Sequence, residues 1–127
     1  MPRNIALIVT DMLNDFVHGA LKCERAATLV PVLQSLLAGA RRAEIPIIYS
    51  NDAHLPVDVE IGVWGEHAMA GTADAFFRGF KVAMVTDATN AFTAEDRAHG
   101  LDYIEKIYGA ELVTSEQLLA GWEEASE

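Results

Sequence analysis

Three apolar stretches of this sequence run directly into an aspartate. Asn4–Thr10 is followed by Asp11, Ile45–Ser50 by Asn51 and Asp52, and Lys81–Thr86 by Asp87. In an open parallel sheet, ligands bind outside the carboxyl ends of the strands, so these three carboxylates are the first candidates for chemistry. Asp11 directly follows the apolar residues of its strand. Such a carboxylate starts out half buried, which prepares it as a general base; its competing role is to cap the next turn. Asp52 and His54 stand two apart, on one side of an extended chain. With His67 they make a two-histidine, one-carboxylate set suited to zinc, iron or manganese, and Glu60 or Glu66 could add an oxygen. The competing reading is a surface loop with two ordinary histidines. His18 and His99 are weaker candidates. The one cysteine, Cys23, has Lys22 and Arg25 nearby, but no strand end presents it to the cleft. No glycine-rich phosphate loop, G-x-S-x-G or C-x-x-C occurs.

The elements that must position these residues can be read from periodicity. The continuous apolar runs at 4–10 and 45–50 are those of strands covered on both faces. Between them Leu29, Val32, Leu33, Leu36, Leu37 and Ala40 recur at helical spacing, with Thr28 as N-cap and Pro31 expected in the first turn. Residues 51–72 read as a long loop, and long loops of this kind are commonly functional. Residues 73–78 suggest a piece of helix stopped by Gly79, and 81–86 a third strand. A helix is predicted from Ala94 to Tyr108, capped by Thr93 with Asp96 and ended by Gly109. Residues 111–114 form a short fourth strand, and Ser115 is expected to cap a last helix to about Glu124. The alternation indicates an α/β domain with a mostly parallel sheet.

The 127 residues suit one domain, 1–127. Hydrophobic residues make up 51%, which supports a real core, and no apolar run approaches the ~20 residues of a membrane span. The formal net charge of −10 argues against nucleic acid and anionic membranes as partners. One cysteine permits no disulfide within the chain, and the amino terminus reads as a strand, so a cytoplasmic protein is expected.

The segments ALIVTDMLNDFVHGAL, PIIYSNDAH and WGEHAMAGT, followed by residues 73–115, resemble the isochorismatase-like cysteine hydrolases, the group that includes nicotinamidases. The resemblance implies a Rossmann-like three-layer α/β/α fold, here with fewer strands than the family. It implies hydrolysis of small amides, nicotinamide or carbamoyl compounds among them, with Asp11 as general base and Phe16 and Trp64 at the substrate. It matches Asp52, His54 and His67 to metal-binding positions of the nicotinamidase branch, for zinc or iron, although the family chemistry requires no cofactor. The histidine which that branch uses shortly after D-x-H is replaced here by LPVDVE.

The family also uses a lysine and a nucleophilic cysteine from a central segment. Here Thr72 runs straight into Ala73, and neither Lys22, Lys81, Lys106 nor Cys23 matches those positions. The missing stretch carries the strand that lies beside strand one in the family. A monomer must therefore pair strand one with the strand at 81–86, or leave an open edge. A homo-oligomer, with strand exchange between chains as one form, is the other solution. Three readings follow: a hydrolase centred on Asp11, a non-catalytic binding variant, and a metal-binding domain.

Overall fold

The structure is a computed structural model that describes residues 4–13, 17–19, 23, 25–50, 72–73, 75–91 and 93–124. Its elements are β1 (Leu7–Thr10), α1 (Ala26–Arg42), β2 (Ile47–Ser50), β3 (Ala83–Val85), a 3-10 turn (Thr86–Ala88), α2 (Ala94–Tyr108), β4 (Glu111–Val113) and α3 (Ser115–Glu124). The strand–helix alternation and the parallel pairing agree with the α/β expectation. The four strands form two separate parallel pairs: β1 with β2, in register Leu7 to Ile47, and β3 with β4, in register Ala83 to Glu111. Among the described residues no backbone hydrogen bond joins β1 to β3. Among the described residues, the direct pairing of strand one with the strand at 81–86 is not formed.

The core lies between the two pairs and the helices. Leu36 and Ala40 of α1, Ile45 and Trp122 are buried together, and Leu7, Ile47, Val85, Ala88, Leu118 and Leu119 pack around them. Gly39 allows the close approach of α3, because a Cβ there would run into Leu119 Cδ2. One layer is thus well made. The opposite face of β1–β2 is open: Ile8 and Ile48, register partners, are 57% and 50% exposed. The expectation of strands covered on both faces is corrected here. An unbroken apolar run records what a complete three-layer fold would bury, and in this chain one layer covers only part of it.

The helices are set by local chemistry. Thr93 Oγ1 accepts from Asp96 N–H at 3.0 Å, and Gly109 ends α2 in the left-handed region at φ 62°, both as the sequence predicts. Helix α1 starts earlier than predicted. Its N-cap is Arg25, which makes no side-chain cap, and Thr28 lies in the first turn, donating to Arg25 O at 2.6 Å. Pro31 consequently falls in the second turn, where its missing N–H leaves the carbonyl of exposed Ala27 to solvent. Thr114, not Ser115, caps α3: Gln117 N–H donates to Thr114 Oγ1 at 3.3 Å and Thr114 N–H to Gln117 Oε1 at 2.8 Å.

Helix α1 closes in a Schellman end. Ile45 N–H donates to Ala40 O at 2.9 Å and Glu44 N–H to Arg41 O at 3.3 Å, with Glu44 at φ 54°. Ile45 and Ala40 also meet in the core cluster. Only glycine holds that backbone without cost. Glu44→Gly is expected to raise stability by about 0.5–1 kcal/mol, read as a higher midpoint in urea unfolding; a lower midpoint would contradict the cap assignment.

Candidate functional site

Two βαβ units with helices on opposite sides generate the site. Helix α1 follows β1 and builds the core cluster, whereas α2 follows β3, packs on β4 and contributes nothing to that cluster. Crossovers between parallel strands are right-handed. With the helices on opposite faces, β2 and β4 are carried outward in opposite directions and β1 and β3 become the inner strands. The point where strand order reverses is where open α/β sheets bind ligands, just beyond the carboxyl ends.

Asp11 stands at the carboxyl end of β1. Its N–H extends the ladder by one rung, donating to Ser50 O at 3.1 Å. The backbone then turns into the left-handed region, φ 57°, and Leu13 N–H closes back on Asp11 O at 2.9 Å. A non-glycine residue held there costs about 1 kcal/mol or more and is characteristic of functional positions. The side chain is half buried, and its carboxylate makes no hydrogen bond or ion pair with any described residue. The capping role weighed for Asp11 is therefore absent among the described residues. What remains is a half-buried acceptor at the carboxyl end of β1.

Asp87 is different. Ser115 N–H donates to its Oδ1 at 2.8 Å and Ser115 Oγ–H to its Oδ2 at 2.5 Å, which ties β3 to the start of α3. Partial burial alone would push this carboxyl up, but the Ser115 hydroxyl and amide, its own backbone N–H and Arg97 outweigh it and hold it below the ordinary 3.8. A carboxylate held low contributes stability that is present above its unfolded value and lost as the pH falls through the folded one. The wild type is therefore expected to lose melting temperature on acidification below about pH 4 more steeply than Asp87→Asn. Parallel pH curves would show that the Ser115 contacts add nothing. Arg97, which sequence reasoning passed over, donates Nε to Thr89 O at 3.0 Å and Nη2 to Thr86 O, so it locks α2 onto the turn after β3. The two described strand-end aspartates thus divide into a structural tie, Asp87, and an acceptor without a side-chain partner among the described residues, Asp11. The T-x-x-Q pattern at 114–117 was the sequence signal that freed Ser115 for Asp87.

Cys23 Sγ points at Ala91 O, 3.9 Å away, and lies three residues ahead of α1. Its neighbour there is a carbonyl oxygen, not a base. His18 and His99 are exposed. Phe16, Asp52, His54, Trp64 and His67 lie outside the described residues. Among the described residues no three histidines, cysteines or carboxylates gather as a metal site. No described helix is long and apolar enough to cross a membrane.

The isochorismatase domain family matches residues 5–72, just over half of the chain. The chain belongs to the isochorismatase family. This isochorismatase-type chain is a shortened member, and the matched stretch ends at Thr72, where the sequence places the junction. Solved structures agree in fold. N-carbamoylsarcosine amidase from Thermoplasma acidophilum superposes with a TM-score of 0.72 at 24% identity, over 87% of this chain and 95% of that one. An isochorismatase-like hydrolase from Alkaliphilus metalliredigens gives 0.71 at 20% identity, over 92% and 98%. Nicotinamidase PncA from Bacillus subtilis gives 0.69 at 16% identity, over 85% and 98%. No curated protein sequence matches the chain.

Proposed function

We propose that this isochorismatase-type chain binds a small amide or carbamoyl compound at the carboxyl end of β1, with Asp11 as the general-base position, and that it has lost the covalent step of its family. The observation that carries this reading is the half-buried Asp11 carboxylate, without a partner among the described residues and held in a left-handed turn at the carboxyl end of β1. An amide N–H donates to such an oxygen, and a charged acceptor makes that bond worth about 1.5–3 kcal/mol. Two of the superposing structures are an amidase and a nicotinamidase by name, which fits an amide-sized ligand.

Covalent catalysis requires a nucleophile within hydrogen-bond reach of its base. The family's central segment, with its lysine and cysteine, is missing between Thr72 and Ala73. Cys23 is engaged with Ala91 O instead. Removing members of a unit that acts together costs orders of magnitude in rate.

The test is ammonia release from nicotinamide and from N-carbamoylsarcosine, alongside calorimetric binding of each. Binding of one of them without turnover is the expected outcome. Ammonia release that disappears on alkylating the thiol, or in Cys23→Ala, would overturn the loss of the covalent step. Binding unchanged in Asp11→Asn would overturn the role of Asp11.

A further inference from the structure

Two loops run beyond the carboxyl ends of β1 and β3, and they hold each other. The first leads from Asp11 to the start of α1, and the second, residues 86–91, leads from β3 towards α2. Asn90 Nδ2–H donates to Arg25 O at 3.4 Å. The Cys23 thiol donates in the other direction, to Ala91 O at 3.9 Å. Asn90 also accepts from Ala91 N–H through Oδ1 at 3.0 Å, so the opposite end of its amide is the one presented to Arg25.

The two loops differ in what holds them. Residues 86–91 are braced by side chains from several elements. Arg97 donates to Thr86 O and Thr89 O, Asp87 accepts from Ser115, and Thr89 Oγ1–H donates to Met84 Sδ at 3.2 Å. The loop after Asp11 is longer, and its described residues rest on local backbone bonds. Leu13 N–H donates to Asp11 O at 2.9 Å and Val17 N–H to Leu13 O at 3.2 Å. At its far end, α1 starts at Arg25 without a side-chain cap. Thr28 holds the Arg25 carbonyl from within the first turn, and Asn90 holds it from the other half of the molecule. Pinning the far end of a loop removes conformations from its whole length, the turn at its beginning included.

We infer that Asn90 is a positioning residue for Asp11: it latches the loop that follows Asp11 onto the braced turn after β3, and so keeps the Asp11 carboxylate in its left-handed turn. The inference rests on the amide-site reading above. Asn90 acts through Arg25 and the loop, and needs no contact with the ligand. Its donor to Arg25 O is the working group, and its acceptor for Ala91 N–H shapes only its own turn.

The test compares Asn90→Ala, which removes both groups, with Asn90→Asp, which keeps the acceptor and removes the donor. Two readouts need no ligand. Amide exchange at Leu13 and Val17 is expected to quicken about tenfold in both variants, with Ile104 of α2 unchanged. Alkylation of Cys23, the one thiol in the chain, is expected to quicken with it. In calorimetry, whichever of nicotinamide and N-carbamoylsarcosine the wild type binds is expected to bind about fivefold more weakly to both variants. Unchanged exchange at Leu13 and Val17 in both variants would overturn the inference. So would recovery of wild-type exchange in Asn90→Asp, which would leave Asn90 a role in its own turn alone, or faster exchange with undiminished binding. A wild type that binds neither amide would overturn the amide reading, and the exchange rates would still decide the latch.

Discussion

Replacing Leu36 by alanine is expected to lower the unfolding free energy by about 3–5 kcal/mol, the upper part of the range for buried leucines. Leu36 is the one large side chain among the described residues with no exposed surface. It sits where α1 meets Ile45, Trp122 and the apolar residues of both strand pairs. Truncation removes the transfer free energy of three heavy atoms and leaves a cavity, and the site cannot easily collapse because its walls come from different elements. Domains of this size have only about 5–15 kcal/mol in total. A chain with an open sheet belongs near the bottom of that range, so the variant is expected to be largely unfolded at 37 °C. Urea titration followed by circular dichroism measures it. A loss below about 1 kcal/mol would mean that the two strand pairs are not held through this cluster.

Asp11→Asn is expected to weaken amide binding by about 10- to 100-fold while leaving the urea midpoint nearly unchanged. Asparagine tolerates the left-handed backbone at φ 57° and keeps the shape of the side chain. It removes the charge that makes the acceptor strong. Asp11→Leu is the informative companion. It loses binding as well, but forces a side chain unsuited to the left-handed region into that turn, so it is expected to lose about 1 kcal/mol or more of stability. If both variants lose the same stability and Asp11→Asn still binds, Asp11 serves the turn and not the ligand. Titration calorimetry with nicotinamide or N-carbamoylsarcosine, paired with urea unfolding, separates the two outcomes.

Legibility in the sequence followed the range of the interactions. Helix Ala94–Tyr108 was readable to the residue, because Thr93, Asp96 and Gly109 act over three or four positions. The start of Ala26–Arg42 was not, since Arg25 caps it with no side-chain bond that composition could reveal. Strand positions were legible, yet their lengths shrank. The run at 4–10 keeps strand geometry only at Leu7–Thr10, and the run at 81–86 only at Ala83–Val85, each with one strand neighbour among the described residues. Asp11 stood out through its place after an apolar run, and its left-handed backbone added what residue order cannot show. Asp87 looked equivalent in sequence and proved to be a tie to Ser115, a partner 28 residues away. The junction at Thr72 and Ala73 raised the question of whether strand one pairs directly with the strand at 81–86. Which alternative the chain takes depends on α1 reaching both strand pairs, a tertiary contact with no local signature.

The separation of the two strand pairs has a consequence for cooperativity. Each pair is closed by its own intervening helix, and among the described residues the halves communicate chiefly through α1, α3 and the turn after β3. A continuous sheet would oblige both halves to open together. Here each is expected to behave as its own foldon, with native-state exchange showing two plateaus of opening free energy, one for β1–β2 and one for β3–β4. The denaturant slope is expected to be shallower than a single 127-residue transition would give.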